Sequence, residues 1–126
     1  MAAWLLGLPG LAAAEDAPDC KKPKDQLTMT QCAGLDYEAA DAALNAAWPQ
    51  LKGDAVDSDK VEGADKHDYE NALMVSQRAW IKFRDEECYW QGFAAHGGSM
   101  EPMLVNMCLA KLTRERITQL QTGVSE

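Results

Sequence analysis

The sequence predicts an all-α fold: a small three-helix domain whose last two helices form an antiparallel hairpin, closed by two disulfides. Three observations predict it. Apolar residues recur at steps of three and four along three long segments, and no strand-like alternation of useful length appears. Gly97 and Gly98 divide the last two segments midway between Cys88 and Cys108.

In the first segment Met29, Ala33, Tyr37, Ala40, Leu44, Trp48 and Leu51 trace one helix face, while Asp36, Glu38, Asn45 and Gln50 take the others. Thr28 with Gln31 forms a capping-box start, and Gly53 is the expected stop. Pro49 removes one backbone donor in the last turn, which should bend or fray that end. Between Gly53 and Lys66, a run of acids with only two valines reads as a solvated loop. Its spacing lacks the D-x-D-x-D-G pattern and the twelfth-position glutamate of a calcium loop, so no metal is assigned.

A second helix is expected from about Asp68 to Phe93, with Leu73, Gln77, Trp80, Arg84 and Cys88 on its inner stripe. After the glycines, Ser99 is the expected cap and Pro102 is tolerated in a first turn. The third helix then runs to about Gln121 with Val105, Leu109, Leu112, Arg116 and Leu120 inward. Met100, Met103 and Met107, at helical spacing, read as core filling.

Cys88 lies ten residues before Gly98 and Cys108 ten after, so a hairpin turning there brings them to one height. Of the three pairings that four cysteines permit, this symmetry favours Cys88–Cys108, which leaves Cys20 and Cys32 to each other. Zinc needs closer cysteines or nearby histidines, and the C-x-x-C motifs of haem attachment and thiol exchange are absent.

Residues 1–14 read as a signal peptide: a short apolar core ending in Ala12, Ala13 and Ala14, with cleavage expected before Glu15. It lacks the usual basic start. Its apolar run is too short to span a bilayer, and residues 15–126 are expected to form one exported domain, periplasmic or secreted, without stable membrane insertion. Disulfides suit that compartment. Twenty acids against twelve bases give a net charge of −8, which repels nucleic acid and favours a cationic protein partner.

Arg84 and Arg116 fall on stripes that periodicity assigns to the interior, where an unpaired charge costs several kcal/mol. Asp41, on the first helix, is the expected carboxylate for Arg84, and Asp41, Gln77, Arg84 and Arg116 read as one structural polar network. His67 and His96 have no cysteine, serine or histidine at catalytic spacing, and no cofactor site or catalytic set is assigned. Trp90 and Phe93, near the hairpin turn, would form an aromatic contact site if exposed.

The run Gln77-Arg78-Ala79-Trp80-Ile81-Lys82-Phe83-Arg84-Asp85-Glu86-Glu87-Cys88 is joined by Cys32-Ala33, Ala40-Asp41 and Leu44-Asn45 before it. Gly97-Gly98-Ser99, Cys108 and Leu112-Thr113-Arg114-Glu115-Arg116 follow. Together these resemble the LprI-like lysozyme-inhibitor family of bacterial envelope proteins, over Cys20 to about Leu120. The resemblance implies a helical, exported, non-catalytic domain that inhibits lysozyme, and it supplies no particular inhibitory residues. This chain departs from the founding type in having no lipid-anchor cysteine after the leader.

Two partner-binding elements are therefore expected. One is the hairpin tip of Trp90, His96, Gly97, Gly98 and Ser99; the other is the acidic loop of Asp54, Asp57 and Asp59. Either would approach a basic muramidase under electrostatic steering. The alternative reading is a periplasmic structural or protein-interaction module with no lysozyme activity.

Overall fold

Asp25 opens the first helix. Its carboxylate accepts the Thr28 N–H at 2.8 Å, and this contact holds its pKa below the ordinary aspartate value. Helix α1, Gln26–Glu62, therefore begins before the Thr28 capping box and buries Thr28 in its first turn. The computed structural model describes residues 17–63 and 65–123; the expected signal peptide lies outside the described residues.

Gly53 does not stop α1, and the expected acidic loop is helix as far as Glu62. One interior glycine costs only about 1 kcal/mol against alanine, and the residues after it can hold one another in helical register. Gln50 donates to Asp54 at 2.8 Å, and Lys60 pairs with Asp57 at 3.7 Å. The helix ends at Gly63, whose positive φ of 155° suits glycine and whose N–H donates to the Asp59 carbonyl at 3.0 Å.

Asp59 also starts the next helix. Its carboxylate accepts the N–H groups of Tyr69 at 2.9 Å and Glu70 at 3.1 Å, two donors in the first turn of α2, Asp68–Gly92, that have no partner within their own helix. The local cap position, His67, makes no side-chain cap bond. One buried aspartate thus closes α1 through its backbone and caps α2 through its side chain.

A single 3-10 turn, Phe93–Ala95, and Gly97 at φ 78° reverse the chain into α3, Glu101–Thr122. Ser99 is not its cap: the cap position is Met100, without a side-chain bond. The turn is tied instead by the Glu101 carboxylate, which accepts the Gly97 N–H at 2.8 Å and meets His96 Nδ1 at 2.8 Å. A Cβ at Gly92 would lie 2.6 Å from Val105 Cγ2, so the close approach of α2 to α3 beside the turn requires glycine there.

The disulfides pair as the hairpin symmetry favours, Cys20–Cys32 and Cys88–Cys108. Helix α3 runs antiparallel to α2 and parallel to α1, and the α1–α3 interface is the most extensive. The interior is thin and built of small groups: Ala33, Ala40, Leu44, Ala110 and the Cys88–Cys108 bridge, with Thr113 fully enclosed. The expected leucine stripe of α3 is only half-buried, because its innermost positions are Cys108, Ala110 and Thr113, small enough to let the helices approach. With so little apolar volume inside, the crosslinks carry a large share of the stability, roughly 3 kcal/mol each in the chain-entropy model.

The molecule therefore has two unlike ends. The start of α1, the end of α2, the turn and the start of α3 form a tip end, near which both disulfides lie. The last turns of α1, the first of α2 and the last of α3 form the other end, joined by Asp59. Among the described residues no helix is long and apolar enough to cross a membrane.

Candidate functional site

The interior arginines sit where the periodicity places them, but one expected partner differs. Arg84 is buried; its Nε donates to Asp85 at 3.0 Å and its Nη1 makes a long 3.4 Å contact with the Thr113 hydroxyl. Its guanidinium lies 5.0 Å from the Trp80 ring centre and 5.5 Å from that of Tyr37. The aromatic faces and the adjacent Asp85 supply the counter-charge expected of Asp41. Asp41 instead accepts from Asn45 at 3.4 Å, one helical turn along, and it meets Arg84 only as a neighbour lining a hollow of about 290 Å³. Burial among these groups pushes the Tyr37 phenol up.

Arg116 joins the network through Gln77, whose Oε1 accepts from its Nε at 3.0 Å, and through the Ser76 hydroxyl at 3.2 Å from Nη2. Its guanidinium also lies 5.7 Å from the Trp80 ring centre. Burial lowers its pKa. Two arginines on one indole lock α2 against α3, a structural task.

The tip carries the exposed chemistry. Phe93 is its hub, with ring centres at 4.2 Å from His96, 5.1 Å from Tyr89 and 5.9 Å from Trp90. Tyr89 and Trp90 are 59% and 66% exposed, values unusual for such large rings in a packed domain. Met100 and Met107 are also exposed rather than core-filling, while Met103 is half-buried against Gln26. Sequence reasoning selected Trp90, Phe93, His96, Gly97, Gly98 and Ser99 but missed Tyr89; its spacing of four from Phe93 was the available signal.

The second expected element does not form as such. Asp59 is 3% exposed and committed to the α2 amides, which removes it from any surface. Asp54 and Asp57 are exposed, but on α1 near the opposite end, about 40 Å from the tip at the helical rise per residue. One partner cleft cannot embrace both elements. Ligand atoms of Asp59, His67 and Glu70 lie within 4.8 Å of one another, yet both Asp59 oxygens already serve the helix cap.

A family model described as lysozyme inhibitor LprI matches residues 19–120. The chain belongs to the LprI family. The LprI match takes in both disulfides, Arg84 and Arg116, the aromatic tip and nearly all of α3. A protein of Rhizobium meliloti (strain 1021), described only as uncharacterized, is 45% identical over 112 residues, 86% of this chain and 81% of that protein. No solved structure matches.

Proposed function

We propose that this LprI-family chain is an exported, non-catalytic protein that binds lysozyme-type muramidases and inhibits them through its aromatic tip. The observation that carries the reading is the cluster of Tyr89, Trp90, Phe93 and His96, exposed yet held on a turn pinned by Glu101 and backed by the Cys88–Cys108 bridge. Rings fixed in advance lose little freedom on docking, which suits them as anchors. A glycan-binding cleft is shaped for flat, amphipathic rings, and Tyr and Trp present such faces. The net charge of −8 steers a basic enzyme toward the inhibitor and repels nucleic acid. Export is part of the proposal, on the strength of the leader and the two disulfides.

The test is titration of the oxidised chain against several lysozymes at low and high salt, with W90A and Y89A alongside. A complex with lost muramidase activity is expected, and W90A should weaken it by about 30-fold, the effect of an interface anchor worth about 2 kcal/mol. Neither complex nor inhibition at micromolar concentration would overturn the proposal. One observation favours the second reading, a periplasmic structural or protein-interaction module: Phe83 and Val75, 57% and 62% exposed, extend apolar surface along α2 beyond the tip. An envelope partner held there would survive high salt, whereas electrostatic capture would weaken.

A further inference from the structure

At the end of the bundle away from the tip, a groove of about 570 Å³ lies between the last turns of α1, the first of α2 and the last of α3. That size falls in the range of small-molecule sites, about 300–1,000 Å³. Leu51, Ala55, Leu73 and Leu120 make it apolar along its length, and Arg116 is the cation that lines it.

The state of that arginine is unusual for this chain. Arg114, two residues earlier, holds Asp36 with two contacts of 2.6 and 2.9 Å, and Arg84 has Asp85. Arg116 is half-buried, and in a chain carrying 20 acids its hydrogen bonds among the described residues go only to the neutral oxygens of Gln77 and Ser76, with the Trp80 ring beside it. These occupy Nε and Nη2. Nη1 has no partner among the described residues, and since no buried side-chain nitrogen there lacks one, Nη1 reaches open space. The carboxylate that lines the same groove, Asp54, accepts from Gln50 on its own helix at 2.8 Å and forms no ion pair with Arg116. A guanidinium held in place by neutral groups, with donors left over at an apolar channel, is a receptor for a single negative charge attached to an apolar body.

We propose that this groove binds a long-chain fatty acid, its carboxylate on Arg116 and its alkyl chain along Leu51, Leu73 and Leu120. One cation matches a monoanion, and the Asp54 carboxylate in the same lining opposes ligands of higher charge. The walls offer no free sheet edge for a peptide backbone, which an alkyl chain does not need.

The oxidised chain would be titrated with octanoate, dodecanoate and hexadecanoate below their aggregation concentrations, by calorimetry and by tryptophan fluorescence. Trp80, stacked under Arg116, reports occupancy. Saturable binding at one site per chain is expected, tightening by about fourfold for each methylene buried. R116Q, which keeps donors but not charge, should weaken hexadecanoate by about tenfold or more, and hexadecanol should bind no better to the parent than hexadecanoate does to R116Q. Leu120→Trp, which fills the channel without touching the head group, should also weaken binding; circular dichroism checks that both variants fold. Absence of saturable binding, equal binding by R116Q, or a groove covered by a second copy at working concentration in sedimentation would each overturn the proposal. The tip takes no part, so this result and that of the lysozyme titration are independent.

Discussion

Replacing Asp59 with alanine would leave the N–H groups of Tyr69 and Glu70 without their acceptor at a buried junction between helices. Each such loss costs about 1–3 kcal/mol, and the carboxylate's attraction to the helix N-terminus goes with it. Tyr69 is exposed enough for water to replace part of the lost bonding, which places the total near 3 kcal/mol. For a domain of this size that is a fall of roughly 15 °C in Tm. Asp59→Asn keeps one acceptor oxygen and the volume, and should cost only about 1 kcal/mol. Urea unfolding of the oxidised proteins, followed by far-UV circular dichroism at neutral pH, measures both. A loss below about 0.5 kcal/mol for D59A, or an asparagine variant no better than the alanine one, would refute the shared-cap account.

Two glycines in helices should respond oppositely to alanine. Nothing lies within 4 Å of a Cβ at Gly53, so G53A should stabilise by about 0.5–1 kcal/mol, whereas at Gly92 the 2.6 Å approach of Val105 Cγ2 should turn the same change into a loss of about 1–3 kcal/mol. Thermal melts of the pair decide it. Removing the Cys88–Cys108 bridge by a double alanine substitution opens a crosslink of sequence separation 20 and should cost roughly 3 kcal/mol in urea unfolding. The Asp36–Arg114 pair predicts an acid limb: hydrogen bonding from Arg114 holds the Asp36 carboxyl below its ordinary value. Its contribution, at most about 1 kcal/mol because the pair is half-exposed, is present above the unfolded value near 3.9 and is lost as pH falls through the lower folded one. The stability difference between the parent and D36N should therefore shrink steadily as the pH is lowered below that of an ordinary aspartate.

Periodicity located the inner faces of α1 and α2 because burial is a local pattern that recurs with the turn of the helix, but on α3 it picked a half-buried stripe beside the small innermost residues Cys108, Ala110 and Thr113. The cysteine pairing was legible for the same reason: equal spacing from Gly98 is a statement about height in a hairpin. The reach of α1 was not legible, because Gly53 and the acids after it read as a break, whereas the local Gln50–Asp54 and Asp57–Lys60 contacts and the junction that Asp59 makes with α2 carry the helix on to Glu62. Asp59 shows this most clearly. On paper it is one acid among many in a polar stretch, and only the return of the chain ten residues later gives its oxygens two amides to accept. Arg84 was placed correctly and partnered wrongly, since Asp41 satisfied helical spacing while the neighbouring Asp85 and two ring faces satisfied distance. Of the candidate site, Trp90 and the turn could be chosen because glycines and aromatics stand out. The groove on Arg116 draws walls from three separate helices and leaves no local trace.

Both covalent ties sit toward one pole of the molecule, while the far pole depends on a single capping carboxylate and on side-chain contact alone. Opening fluctuations are cheapest where fewest constraints must be released together, so backbone amides in the last turns of α1 and the first of α2 should exchange with solvent well before those around the Cys88–Cys108 bridge. On that ordering of constraints, the aromatic pole acts as the clamp and the far pole is where the three helices should part first.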